Sequence, residues 1–229
     1  MLSLHAGVNA GDTTYSILGA DLSTVVSERD LGVTVSGNGK SAAHVRKIVG
    51  RAYQVSHLIF NGFVNRDPKF LGRLFAVYIR PILEYASVVW SPHLIGDIDA
   101  IERVQRRFTK RIPSIATLPY SQRLAACNLE ILELRRIRFD LIQLFKMVCL
   151  GGNAYNNLIT LSTLPTRGHP WKIFVERCSS SFKQHAFPYR SFGVWNAFGS
   201  HCFAPLNLNS FKSKIASINF ALCGHAHID

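Results

Sequence analysis

Residues 97–113 carry the pattern that most limits what this chain can fold into. Ile101, Val104, Phe108 and Ile112 fall on one side of a helix turning about 100° per residue. Arg103, Arg106, Arg107, Lys110 and Arg111 fall on the opposite side. A segment so sharply divided satisfies both faces only as a surface helix, with its apolar stripe on a core and its cations in water. Asp97 is the expected cap at its start. Pro113 ends it near Ile112, because proline disfavours the α conformation in the residue before it. Immediately upstream, Tyr78–Trp90 is apolar and aromatic-rich, interrupted by Pro81, which removes a backbone donor and should kink or break a helix.

The same periodicity defines the neighbouring elements. Val45, Ile48, Val49, Ala52, Val55 and Ile59 predict a helix from a Ser41 N-cap to about Asn61, with Arg46, Lys47 and Arg51 elsewhere on its surface. Asp67-Pro68 is a start signal, an N-cap followed by proline at the first helical position, for a helix reaching about Trp90. Ser121 is the expected cap of a short helix. Glu130–Leu150 should form a longer one with a wide apolar face, stopped by Gly151-Gly152. Before all of these, residues 15–35 hold two partly alternating β-branched runs, a hairpin or two strands, followed by a turn at Gly37 and Gly39. After them comes a Gly/Asn/Thr-rich stretch, residues 151–169, then an expected strand at Trp171–Arg177 and helices at Arg190–Phe198 and Asn209–Leu222.

The fold class expected is therefore mainly α, with a short N-terminal β element, a helical bundle and a small mixed α/β C-terminal region. The expected divisions are residues 1–40, 41–150, a linker at 151–169, and 170–229. No internal repeat is visible, so a solenoid is not expected.

Charge narrows the partner class. Twenty-six Lys and Arg against fourteen Asp and Glu leave a formal net charge of +12, an excess suited to a polyanion. The excess is uneven. Residues 1–43 carry two cations and four acids, whereas residues 44–125 carry thirteen cations and five acids. The N-terminal sixteen residues lack a basic segment followed by an apolar one, so no signal peptide is expected. No window is long and apolar enough for a transmembrane helix. Five cysteines without a framework spacing suit a reducing interior. The location expected is intracellular, in nucleus or cytoplasm.

Five blocks in order resemble the region that follows the polymerase core in reverse transcriptases of jockey-like non-LTR retrotransposons. They are Asp30-Leu31-Gly32-Val33; Arg80-Pro81-Ile82-Leu83-Glu84-Tyr85 with Val89-Trp90; Ile101-Glu102 with Val104-Gln105-Arg106; Leu132-Glu133-Leu134-Arg135-Arg136 with Asp140-Leu141; and Arg190-Ser191-Phe192 with Trp195-Asn196 and Ser210-Phe211-Lys212. The resemblance implies that residues 1–40 finish a palm and help form a primer grip, that 41–150 are a thumb, and that the parent activity is RNA-directed DNA polymerisation. The family's Tyr/Phe-x-Asp-Asp turn is not in this chain, and Ala197-Phe198 stand where the family usually shows Leu-Pro.

Nucleotidyl transfer needs two divalent cations held by converging carboxylates. Asp97 and Asp99, two residues apart at a helix start, point in different directions and suit a cap and a first-turn acid favoured by the helix dipole. No catalytic residue, metal ligand or cofactor is assigned to this chain, although the parent enzyme would need magnesium. Cys202 and the Cys223-x-His225-x-His227 array lack a C-x₂-C pair and do not match a zinc knuckle. Tyr85 and Trp90 could stack on unpaired bases, but their apolar neighbours favour core burial, as they do for Trp171 and Trp195.

The expected function is a non-catalytic grip on the backbone of an RNA/DNA hybrid or RNA, tolerant of sequence, with no membrane partner. Lys47, Arg51, Arg103, Arg106, Arg107, Lys110 and Arg111 would position the phosphates. Two rivals stand beside it: an inert translated remnant of a truncated element, and a protein–protein interaction module using the apolar face of Glu130–Leu150. Membrane-surface binding is less supported, because the apolar face of the 97–112 helix lacks Trp and Leu.

Overall fold

A computed structural model describes residues 2–3, 16–18, 20–21, 23–151, 159–162, 169–178, 180–204, 206–216 and 218. The protein is mainly helical, with short β pairings at its N-terminal end. It divides into two compact units, residues 1–130 and 131–229. The helix expected to close the first domain thus belongs to the second, and the division falls before it rather than within 151–169.

In the first unit, β1 (Leu2–Ser3) pairs in parallel with β4 (Ser23–Thr24), and β2 (Ser16–Ile17) pairs antiparallel with β3 (Ala20–Asp21). The fuller ladder joins β5 (Ser27–Asp30) to β6 (Val33–Ser36), with Asp30 opposite Val33 and Ser27 opposite Ser36. Only Leu31 and Gly32 lie between these strands, at φ 44° and 88°. Two positive φ values make a type I′ turn, whose twist matches that of the strands it joins. Glycine adopts this backbone freely, whereas Leu31 does so under strain.

Helix α1 (Ala42–Gly62) buries Val45, Ile48, Ala52, Ile59 and Phe60, close to the face expected. Ser41 precedes it, but its side chain makes no capping hydrogen bond. Helix α2 (Pro68–Leu74) starts as its sequence dictates: the Phe70 amide donates to Asp67 Oδ2 at 2.8 Å. Pro81 does not break the helix that follows. Residues 75–79 form a π turn closed by the Arg80 amide donating to the Phe75 carbonyl, and α3 (Arg80–Glu84) continues from it. Widening the helix just ahead of a residue without an N–H lets the chain carry the missing bond. The break comes later, at Tyr85-Ala86, where Ala86 takes φ 51°. A short α4 (Ser87–Trp90) follows, and the Trp90 indole donates to the Tyr85 carbonyl at 2.7 Å.

Helix α5 (Ile95–Lys110) starts two residues before Asp97, which is a first-turn acid and not the cap. Arg111 is its C-terminal flank, and Ile112 is extended before Pro113. Helix α6 (Tyr120–Cys127) is preceded by Pro119, so Ser121 lies inside it and does not cap it. The Phe108 ring of α5 lies 5.0 Å between centroids from both Phe60 and Phe75, tilted by 56° and 59°, which ties α1 and the π turn to α5.

The second unit is built on α7 (Leu132–Phe145), extended by a π turn at 146–150. With it stand α8 (Ser181–His185), α9 (Tyr189–Asn196), a 3₁₀ turn at Ser200–Cys202 and α10 (Leu208–Ala216). Leu141, Leu144, Phe145, Phe192, Trp195 and Phe211 are buried together at its centre. The strand expected at Trp171–Arg177 is reduced to one antiparallel bridge, Leu161 to Ile173. The bridge and the buried Ile159 draw part of the expected 151–169 linker into this unit. The C-terminal part of the helix expected to reach Leu222 lies outside the described residues, except Ile218, which is not helical.

Candidate nucleic-acid interface

Between Asp30 and Asp67 the sequence contains no acidic residue, while it holds Lys40, Arg46, Lys47, Arg51 and Arg66. Helix α1 therefore exposes cations with no carboxylate of its own to neutralise them. Lys47 and Arg51 are exposed one turn apart, and Arg51 donates to Gln54 Oε1 at 3.3 Å. Arg103, Arg107, Lys110 and Arg111 are exposed along α5, as the periodicity predicts. Among the described residues, none of these six forms an ion pair.

The expected cations do not share one environment. Arg107 and Arg111 lie over rings of α1, at 5.5 Å from the Tyr53 centroid and 4.1 Å from that of Phe60. Such contacts hold the long side chains along the surface while the charged heads stay solvated. Arg106 is only half-exposed and lies 5.0 Å over Tyr120. Its main-chain carbonyl accepts from the buried Arg123 at 2.9 Å. Arg106 thus takes part in closing α6 onto α5. Lys47 and Arg51 face the other flank of α1, toward the hairpin and α3.

On that flank lies a cleft of about 630 Å³ lined by α1, the β5–β6 turn and α3. Arg29, Arg46, Lys47 and Arg51 surround it, and among the described residues no carboxylate lines it. Tyr85 forms part of the wall and is 58% exposed, so the core burial expected for it fails. Trp90, at 6% exposure, is in the core as expected. Of the other tryptophans, Trp195 is fully buried and Trp171 is half-buried against the same cluster.

Two hydrogen bonds hold the hairpin on the helices and shape the cleft. The Tyr85 hydroxyl donates to the Leu31 carbonyl at 3.0 Å. The Thr34 amide donates to His44 Nδ1 at 3.1 Å, so this nitrogen is the unprotonated one. Thr34 stands opposite Arg29 in a ladder position whose amides point away from the partner strand. His44 therefore satisfies a donor the hairpin cannot. Burial, then the charges of Lys47 and Arg29, push the His44 pKa below its ordinary value.

Asp97 lies in the first turn of α5 and Asp99 two residues further on, about 160° apart around its axis, so they do not converge on an ion. Among the described residues no group of three His, Cys, Asp or Glu could hold a metal. Burial pushes the Cys127 and Cys149 thiols up to about 11 and 12. Cys223, His225 and His227 lie outside the described residues.

Sequence reasoning missed Arg29 and Arg46 as partners of Lys47 and Arg51, and Tyr85 as a surface residue. The acid-free span between Asp30 and Asp67 is the signal that points to Arg46; Arg29, flanked by Glu28 and Asp30, reaches the cleft only through the hairpin. Nothing local marks Tyr85, because its exposure follows from the break at Ala86. The residues that carry the family resemblance occupy fold-closing positions. Gln105 donates to the Tyr120 hydroxyl and the Glu130 carbonyl, while Tyr120 donates to Glu102. In the second unit Arg190 forks onto Asp140 at 2.7 and 2.8 Å, and the Asn196 side chain pairs with both backbone groups of Ile173. No helix among the described residues is long and apolar enough to cross a membrane. No protein-family model, curated protein or solved structure matches the chain.

Proposed function

We propose that this chain grips the sugar–phosphate backbone of an RNA/DNA hybrid or RNA duplex, as the thumb-like part of a jockey-like retrotransposon reverse transcriptase, with no catalytic step of its own. The observation that carries the reading is the set of exposed cations on α1 and α5, Lys47, Arg51, Arg103, Arg107, Lys110 and Arg111, without carboxylate partners among the described residues. Guanidinium and ammonium groups on a rigid helix face meet a phosphate backbone by displacing its counterions and read no base. The resemblance supplies the polymer class; charge and exposure supply the surface. Arg106 contributes mainly by packing on Tyr120. The rival reading as a protein–protein module loses its motivating face, since Leu141, Leu144 and Phe145 of α7 are fully buried within the second unit.

Fluorescence anisotropy of the full chain against a blunt RNA/DNA hybrid, titrated across salt, tests the proposal. Four to six phosphate contacts give a slope of log K on log salt of about −3 to −5. Arg103→Gln with Arg107→Gln should lower the slope by about 2. A salt-independent affinity, or none at low salt from a folded chain, overturns the reading.

A further inference from the structure

The cleft between the hairpin turn, α1 and α3 adds to its cations an aromatic face that a duplex grip does not use. Its rim is cationic, from Arg29, Lys47 and Arg51, and among the described residues no carboxylate lines it. Its wall includes an aromatic ring, Tyr85, exposed at 58%, beside apolar Ile82 and the amide of Gln54. The ring is also held in place. Its hydroxyl is bound to the Leu31 carbonyl at 3.0 Å, and its edge passes close to Gly32, where an added Cβ would sit 3.3 Å from Tyr85 Cε1. A fixed aromatic face beside three exposed cations suits a ligand with an alternating flat apolar part and anionic part. Duplex nucleic acid keeps its bases stacked inside and offers none to Tyr85. An unpaired strand offers both a base and its phosphate.

We infer that this cleft binds an unpaired nucleotide of a single strand, the base against Tyr85 and Ile82 and the flanking phosphates on Lys47, Arg51 and Arg29. The site is separate from the α5 cations but shares Lys47 and Arg51 with the duplex grip, and the inference rests on that reading's assignment of a polynucleotide ligand. Gly50 faces open space on the exposed side of α1, leaving a path by which the strand runs past the helix. Because every base has a flat face, the site is tolerant of sequence.

The test uses the full chain with three labelled probes: a blunt RNA/DNA hybrid, the same hybrid with a short single-stranded overhang, and a short oligothymidylate. Tyr85→Leu should weaken binding of oligothymidylate and of the overhang by roughly tenfold and leave the blunt hybrid unchanged. Tyr85→Phe keeps the ring and loses only the bond to Leu31, so it separates stacking from hairpin anchoring; it should bind oligothymidylate within about twofold of wild type. Lys47→Gln with Arg51→Gln should weaken oligothymidylate more than the blunt hybrid. Thymidine monophosphate should compete at concentrations where inorganic phosphate does not. Equal loss of blunt and single-stranded binding in Tyr85→Leu, oligothymidylate binding untouched by it, or equal competition by phosphate overturns the inference. If the blunt hybrid binds and the overhang adds nothing, the cleft assignment alone fails; if oligothymidylate binds and the blunt hybrid does not, the duplex-grip reading alone fails.

Discussion

Gly72 is where α2 meets α6 backbone to backbone. A Cβ placed there would lie 2.1 Å from the Cys127 carbonyl oxygen, a contact that neither helix relieves without moving. Gly72→Ala should therefore destabilise the protein by about 2–3 kcal/mol, read as a lower urea midpoint. An unchanged midpoint would mean that the helices do not approach as described. His44 works differently, through one proton. Its folded pKa lies below its unfolded value, so its contribution to stability is present above about pH 6.5 and is lost as the pH falls through the folded pKa. Protonation at Nδ1 would also turn the acceptor for the Thr34 amide into a donor facing a donor. From pH 7.5 to 5.5 (about one unit either side of the ordinary histidine pKa), the protection factor of the Thr34 amide, its exchange corrected for the intrinsic rate at each pH, should fall in wild type. In His44→Gln that pH dependence should vanish; its persistence would remove His44 as the cause.

At the scale of elements, polar residues set how helices meet. Glu102 and Gln105 are buried on the face of α5 that the hydrophobic pattern marks as core, and with Tyr120 they fasten α6 and the Glu130 carbonyl. Burial and the Glu102 carboxylate drive the Tyr120 pKa upward, so the phenol stays a proton donor. Gln105→Leu keeps the volume and removes the donor to the Glu130 carbonyl and the Tyr120 hydroxyl, at a cost of about 1–3 kcal/mol, measurable by thermal unfolding. A neutral result would show water taking over the bond. Pro81 illustrates the converse. A proline in a helical pattern announces a missing donor, but whether the chain breaks, kinks or widens depends on what surrounds it. Here Phe75 and Ile79 on the π turn are fully buried, and their packing keeps the helix continuous. In the second unit the Asp140–Arg190 fork joins α7 to α9 in a largely buried setting, with side-chain exposures of 6% and 15%. Asp140→Asn leaves the guanidinium uncompensated and should cost roughly 3–5 kcal/mol, visible as a lower melting temperature.

For the whole molecule, the sequence by itself determined the helical class, the position of α1 and α5, and the cationic character of the section they share. Those properties follow from periodicity, proline and the local ratio of Lys and Arg to Asp and Glu, each readable within a few turns of chain. Asp67-Pro68 illustrates this: cap, donor and first-turn proline all lie within four residues. The tertiary structure decided the rest. Helix α7 carries an apolar face that periodicity finds but cannot assign, and its partners Phe192, Trp195 and Phe211 lie some fifty to eighty residues further along the chain. The unit boundary at Glu130 and the role of 151–169 depend on that choice of partner. The same holds for the cations. Spacing grouped Arg106 with Arg103 and Arg107, but only the fold of α6 brought Tyr120 beneath Arg106 and left the other two in water. Tyr85 became a surface ring because the chain turns at Ala86 and brings the Leu31 carbonyl within reach of its hydroxyl. A residue's type and spacing state what it can bond to; which partner arrives is settled by contacts between distant segments, and those exist only once the chain has folded.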